Sequence, residues 1–169
     1  MALSSQELEP PSNPGRFNKS RPVEGLTKLA KLDFLLRYPN CLERALASAG
    51  KDSRKAEVAE FERTTIESKM IRFRYGPWDH RYRRWVALMA AQGLVAINVK
   101  GKTVELWPTP DGKAVASVLA DQESLEDLVA RAKIVAKSFG NRSGMDLKNF
   151  IYVTFPELTD MKWGEEIAI

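Results

Sequence analysis

Residues 93–108 constrain the fold of this chain more than any other stretch. Gly93 follows a helical pattern, and after it come two β-rich runs, "LVAINV" and "TVELWP", which are separated by the short turn "KGK". Runs of β-branched residues on both sides of a glycine-containing turn predict a β-hairpin. A single hairpin is too small to be stable alone, so it must pack against other elements. The helices that precede it are the natural candidates.

Three helices are predicted before the hairpin. The apolar stripe of "LTKLAKLDFLLRY" predicts the first, which Pro39 ends. Residues 40–54 are ambiguous, and residues 54–70 fit a second helix. The third begins at Asp79, whose carboxylate can accept free backbone N–H groups as an N-cap. Three helices followed by a hairpin are the element order of a winged helix-turn-helix, so residues 25–120 are predicted to form a winged-helix domain.

The third helix has two faces of different chemistry. Apolar side chains recur at i, i+3, i+4 and i+7, the spacing of one helix face: Tyr82, Trp85, Val86 and Met89. We expect this face to enter the core. His80 and Arg84 lie almost opposite this face, and Arg81 and Arg83 lie on its flanks. Ala87 and Ala91 continue the exposed side further along the helix. The stretch "MIRFRYGPWDHRYRRW" is therefore expected to separate into buried aromatic and exposed basic residues.

Basic residues near the third helix form the candidate binding surface. Residues 70–85 contain five arginines and one acid, Asp79, which the helix cap would use. Arginines at this density repel one another, and a phosphate or carboxylate partner would relieve the repulsion. The predicted partner-binding or DNA-binding residues are Arg72, Arg74, His80, Arg81, Arg83, Arg84, Lys100 and Lys102. DNA, a protein partner and a solvated face without a partner remain open interpretations.

The two ends of the chain are predicted to differ. Residues 1–24 hold four prolines and little that could pack, which predicts an extended N-terminal arm. Residues 121–169 are predicted to form a C-terminal helical extension, with a capping box of Ser124 and Asp127. Residues 145–155 fit a helix or a strand, and we favour a helix that closes a helical hairpin. The predicted class is α+β, mostly helical: a winged helix-turn-helix domain followed by a C-terminal helical hairpin.

Motifs for catalysis are weak throughout the sequence. One histidine and one cysteine cannot supply a typical zinc site, so no metal is predicted. Asp79 and His80 are neighbours at a helix start and point in different directions, which does not suit a base and its orienting acid. The run "AINVKGKT" ends like a phosphate-binding loop, but Ala96 occupies the position of the required first glycine. We interpret the chain as non-enzymatic, without catalytic residues or a cofactor.

Composition predicts a cytoplasmic protein. No apolar run approaches the ~20 residues that cross a bilayer, so no membrane contact is expected. The first residues lack the basic and apolar regions of a signal peptide. The single cysteine, Cys41, excludes an internal disulfide and fits a reducing compartment. The net charge of +4 is too small to identify a nucleic-acid-binding protein by itself.

Three stretches carry a family resemblance: "LTKLAKLDFLLRYP", "ESKMIRFRYGPWDHRYRRWVALMAAQGLV" and "TPDGKAVASVLA". They resemble the middle component of ABC-three-component (ABC-3C) prokaryotic defence systems, the Lamassu-type accessory subunit in particular. The resemblance covers about residues 26–120. It implies a small non-enzymatic subunit that works beside an SMC-like (Rad50-like) ATPase subunit and an effector, often a nuclease, against phage or plasmids.

Two functional hypotheses follow. In the first, the chain is an adaptor whose winged helix docks on the ATPase heads or on the effector nuclease, with double-stranded DNA as a further contact. In the second, it is a freestanding winged-helix transcription regulator, whose dimerisation surface the C-terminal helices could supply. A neighbouring gene for an SMC-like ATPase would favour the adaptor.

Overall fold

The computed structural model describes residues 21–63 and 68–168. In this part of the chain, helices dominate and two small antiparallel sheets complete the fold, so the predicted α+β, mostly helical class is confirmed. The strands are β1 (Val23–Glu24), β2 (Ile71–Phe73), β3 (Gly76–Trp78), β4 (Val95–Lys100) and β5 (Thr103–Pro108). The α-helices are α1 (Leu26–Arg37), α2 (Pro39–Ser48), α3 (Tyr82–Ala91), α4 (Pro110–Ala120), α5 (Glu126–Phe139), α6 (Gly144–Thr154) and α7 (Glu157–Asp160).

The second helix lies earlier in the chain than predicted. Pro39 ends α1, as expected, but it also occupies the first turn of α2, where its missing N–H is not needed. The prediction of a helix at residues 54–70 is wrong. Two short 3₁₀ turns lie there instead, and Glu57 between them has a left-handed backbone (φ 47°) that interrupts a helix. Residues 64–67 of that prediction lie outside the described residues.

The hairpin after α3 is confirmed. Gly93 has a φ of 71°, the left-handed conformation that lets the chain leave the helix. The strands β4 and β5 pair in antiparallel register, with Ile97 opposite Leu106. The strand β1 pairs with the other side of β5. The last residues of the predicted arm 1–24 thus belong to a three-stranded sheet, whereas residues 1–20 lie outside the described residues.

The helices after residue 120 begin and end close to the predicted positions. The segment 145–155 is helical, as favoured, because α6 covers most of it. The capping box is at Ser143 and Asp146, where the Ser143 hydroxyl accepts the Asp146 N–H at 3.1 Å. The box predicted at Ser124 and Asp127 is wrong, because a 3₁₀ turn places the start of α5 at Glu126 with no side-chain cap. No helix in the described residues is both long and apolar enough to span a bilayer.

One apolar core joins the early and late helices. The helix α1 packs on α2, α5 and α6. The largest fully buried apolar side chains are Phe34, Leu35, Tyr38, Leu42, Leu46, Met70, Phe139, Leu147, Ile151, Phe155 and Leu158. Phe34 meets Phe155 edge to face with ring centroids 5.5 Å apart, and the Tyr38 hydroxyl donates to the Ile167 carbonyl at 3.0 Å. The core therefore crosses residue 120, and the division into residues 25–120 and 121–169 stays a prediction.

A pair of substitutions on α5 tests this shared core. Phe139→Ala should lower the free energy of unfolding by about 3–5 kcal/mol, because the ring is fully buried among early and late helices. Leu128→Ala, on the same helix but 45% exposed, should change it by less than about 0.5 kcal/mol. Urea denaturation followed by circular dichroism measures both. Two separate unfolding transitions in the wild type, or equal losses of unfolding free energy in the two variants, would contradict a single core.

Candidate partner-binding surface

A buried carboxylate, Asp79, holds the start of α3. Its Oδ1 accepts the backbone N–H of Arg81 at 2.9 Å. The regular helix begins only at Tyr82 with Arg81 as its N-cap, so the N-cap predicted at Asp79 is two residues too early. Its Oδ2 accepts hydrogen bonds from Arg81 Nη2 at 2.7 Å and from Arg37 Nη1 at 2.9 Å. Because Arg37 belongs to α1, Asp79 links two helices that are far apart in the sequence.

A second carboxylate extends this link along α1. Asp33 accepts a hydrogen bond from Arg37 Nη2 at 2.6 Å and another from the Tyr82 hydroxyl at 2.6 Å. The Arg81 guanidinium lies over the Trp85 ring, 4.7 Å from its centre. We call the linked residues the Asp79 network: Asp33, Arg37, Asp79, Arg81 and Tyr82. Through it, the buried face of α3 is held against α1.

The network keeps its groups in one ionisation state at neutral pH. Burial alone would raise the pKa of Asp79, but hydrogen bonds from the Arg81 side chain and backbone and from Arg37 outweigh burial and hold it well below its usual range. Burial, followed by the charge of Asp33, raises the pKa of the Tyr82 phenol far above its usual value. Asp79 therefore stays charged and Tyr82 stays protonated as donor.

The two predicted faces of α3 are confirmed. Tyr82 and Val86 are buried, and Trp85 and Met89 are half-buried. They line one side of an apolar groove of about 390 Å³ whose other walls are α1 and α5. The exposed residues on the opposite side are His80, Arg81, Arg83, Arg84, Ala87 and Ala91. Arg81 is nevertheless engaged by Asp79, so the prediction of an unpaired Arg81 is wrong.

Arg72 does not belong to the exposed surface. Its Nε donates to the Leu158 carbonyl at 2.7 Å, and its Nη1 donates to the Phe73 carbonyl. The guanidinium also lies 5.4 Å from the centre of the Tyr152 ring. Predicting Arg72 as a surface contact is wrong, because β2 directs this side chain into the protein, where it holds the late helices.

The remaining predicted residues are exposed at two turns. Arg74 lies in the turn between β2 and β3, with its guanidinium 5.3 Å from the centre of the Tyr75 ring. Lys100 and Lys102 lie at the turn of the β4–β5 hairpin. The structure brings Lys102 to the same cavity as Arg83, an opening of about 460 Å³ beside the start of α1.

The helix α4 exposes apolar surface that was not predicted. The Thr109 hydroxyl accepts the Gly112 N–H at 2.9 Å, so Thr109 is the N-cap of this helix. No residue of α4 is buried. Val115, Val118 and Leu119 are spaced as one helix face, and between 42% and 63% of each is exposed. This face has no cover in the described residues.

In the described residues, Cys41 is a buried thiol and metal-ligating side chains do not cluster. Cys41 is buried, and burial followed by the charge of Glu157 raises the pKa of its thiol to about 12. The described part of the chain has no cluster of three histidine, cysteine, aspartate or glutamate side chains that could hold a metal ion.

Some features of this surface were readable in the sequence and others were not. The spacing of Asp33 and Arg37, one turn apart on α1, was the available sign of the Asp79 network. The run "KAVASVLA", apolar nearly all round, was the available sign of an unusual α4.

Comparison of the chain with protein-family models, with curated proteins and with solved structures gave no match.

Asp79→Asn tests the network. At pH 7 we expect a loss of about 1.5–3 kcal/mol in the free energy of unfolding, because the Arg37 and Arg81 hydrogen bonds, both partly buried, lose their charged acceptor. The pKa of Asp79 is lowered on folding, so its contribution is present above about pH 3.9 and declines as the pH falls below that value. The difference between wild type and variant should therefore shrink as the pH falls from about 4 towards 2.

The matched control for this experiment is Asp111→Asn, an exposed acid in the first turn of α4. It should cost less than about 0.5 kcal/mol at every pH. Urea denaturation at a series of pH values measures both variants. The network does not hold α3 if both variants lose the same free energy of unfolding, or if the loss in Asp79→Asn does not change with pH.

Proposed function

We propose that this chain is a non-enzymatic adaptor subunit that binds a large protein partner through α4 and the exposed face of α3. The observation that carries the proposal is the uncovered apolar face of Val115, Val118 and Leu119. Contiguous apolar patches are uncommon on stand-alone proteins and usually mark interfaces. A partner that covers this face gains free energy from the apolar area removed from water.

In this proposal, α3 and the β4–β5 hairpin act as the recognition helix and wing of a winged-helix module. The order of helix, glycine and hairpin supports it, and β1 completes a small sheet beside the wing. The module departs from a simple helix-turn-helix, because residues 49–81 separate α2 from α3, whereas that motif uses a turn of about 3–4 residues. The helix α5 lies across the apolar groove from α3.

The resemblance of residues 26–120 supports a particular class of partner. The adaptor would join an SMC-like ATPase to a nuclease effector in defence against phage or plasmids. Exposed arginines at the start of α3 suit acidic groups on such a partner, since charge complementarity speeds association and fixes orientation. Double-stranded DNA held by the ATPase would be a further contact for His80, Arg84 and Lys100.

Val118→Asp tests the adaptor proposal. The side chain is 63% exposed, so the variant should fold normally, but a charge in the apolar face should prevent assembly. The measurement is co-expression with the genes that flank its own, followed by size-exclusion chromatography with light scattering. Ser117→Asp adds the same charge at an exposed neighbouring position and should assemble like the wild type. Assembly of both variants, or elution of the wild-type chain alone, would count against the adaptor.

A freestanding DNA-binding regulator is the second candidate. His80, Arg83, Arg84 and Lys100 are all exposed near the start of α3 or at the hairpin turn, where a winged helix contacts DNA. A protein that neutralises phosphates binds DNA with an affinity that falls steeply as salt is added. On duplex DNA, the logarithm of the binding constant falls with the logarithm of the salt concentration by about 0.9 for each neutralised phosphate. The free chain would then bind duplexes without any partner.

Arg84→Glu combined with Lys100→Glu separates the two candidates. We expect duplex DNA to bind the assembled complex with an affinity that depends on salt. In the variant, the slope of log binding constant against log salt concentration should become shallower by about 0.9 for each lost phosphate contact. The free chain should show little salt-sensitive binding. Lys133→Glu, at an exposed position on α5, serves as the control. Tight, salt-sensitive binding by the free wild-type chain that the double variant loses would favour the regulator.

A further inference from the structure

A cavity of about 460 Å³ opens at the N-terminus of α1. It lies between this helix start, the β2–β3 hairpin and the start of β5. Its volume falls within the range of small-molecule sites, about 300–1,000 Å³. The walls combine three cations with three aromatic rings: Lys31, Arg83, Lys102, Phe73, Tyr75 and Trp78. This pairing suits a ligand that has a negative group and a planar ring.

The backbone at the start of α1 is prepared for an anion. Gly25 is the N-cap, with a φ of 86° and no side chain that could accept the first N–H groups. In the described residues, the N–H groups of Leu26 and Thr27 have no hydrogen-bond partner, and the first turn holds no acid. Free N–H groups at a helix start, together with the helix dipole, form a common site for phosphate. Both residues line the cavity.

Lys31 adds a buried positive charge to the same wall. Only 1% of the residue is exposed, and its ammonium donates to the Thr27 carbonyl at 3.1 Å. Within the described residues no carboxylate pairs with it. Burial, followed by the charge of Lys148, lowers its pKa to about 8. A buried ammonium without a counter-ion is costly, and an anion in the cavity would supply the counter-charge.

Among the described residues, the acid in the cavity wall does not supply that counter-charge to Lys31. Glu24 lies at the rim with its side chain 54% exposed, and its carboxylate is 3.9 Å from the Lys28 ammonium. Arg83 and Lys102 are exposed and carry two more positive charges to the opening. The wall as a whole is therefore cationic, which favours a phosphate over a neutral ligand.

Aromatic side chains form the opposite part of the cavity. Phe73 lies 6.2 Å from Trp78 and 6.0 Å from Trp163, measured between ring centres. Phe73 and Tyr75 are 43% and 45% exposed. Arg74 and Lys148 already lie 5.3 Å and 5.6 Å from the centre of the Tyr75 ring, so Phe73 offers the more accessible ring. Exposed aromatic rings beside cations are the means by which proteins stack nucleobases without reading their sequence.

We infer that this cavity binds a nucleotide, with its phosphate on the first turn of α1, where the charge of the buried Lys31 attracts it, and its base against the aromatic rings. The phosphate-bearing nucleoside is either free or the 5′-terminal residue of a strand. This inference goes beyond the adaptor role, because α4 takes no part in the cavity.

Isothermal titration calorimetry of the full chain tests the inference. The probes are adenosine and cytidine 5′-monophosphates, adenosine, inorganic phosphate, and a short single strand with and without a 5′-phosphate. We expect the monophosphates to bind at least tenfold more tightly than adenosine or inorganic phosphate. Stronger binding of the 5′-phosphorylated strand than of the monophosphates would assign the site to strand ends, and the reverse would assign it to free nucleotides. Inorganic phosphate that binds as tightly as a nucleotide, or no binding by any probe, would overturn the inference.

Lys31→Met separates ligand binding from folding. The variant should be as stable as the wild type or more stable, because it replaces a buried charge by an apolar chain of similar length, yet nucleotide affinity should fall at least tenfold. Lys113→Met, at an exposed position on α4, should bind like the wild type. Phe73→Leu should weaken nucleotide binding several-fold and leave phosphate binding unchanged. Wild-type affinity in both Lys31→Met and Phe73→Leu would refute the site.

Discussion

The pairing of Asp79 with Arg37 is the interaction on which the candidate surface depends. It fixes where α3 begins and how the helix is rotated against α1, because Tyr82 must reach Asp33 at the same time. With this rotation set, the aromatic side chains face the groove and the basic ones face solvent. A shift of one residue in the start of α3 would rotate the helix by about 100° and mix the two faces.

Several features that depend on neighbouring residues could be predicted from the sequence, although the helix expected at residues 54–70 and the capping box expected at Ser124 were wrong. The β4–β5 hairpin, the glycine exit at Gly93, the faces of α3 and the cap at Thr109 all follow from local spacing and turn chemistry. Features that depend on distant residues could not. Arg72 resembles its exposed neighbour Arg74 in the sequence, and only the late helices, which supply the Leu158 carbonyl, make it a buried structural residue.

The surface of this chain combines chemistries that a single partner rarely needs. The apolar face of α4 suits burial against a folded protein, whereas the cavity at the start of α1 suits a small anionic ligand. The exposed start of α3 lies near the second of these, because Arg83 lines the cavity. A small subunit that meets several components of an assembly would require separate surfaces of this kind.

The shared core also has a consequence for synthesis on the ribosome. The helix α1 is made early, but Phe34 is covered by Phe155, and the Tyr38 hydroxyl reaches the carbonyl of Ile167. Until those late residues leave the exit tunnel, an emerging chain presents its first helices with their apolar side uncovered. Folding must then wait for contacts that span well over one hundred residues, which slows the search and favours help from chaperones.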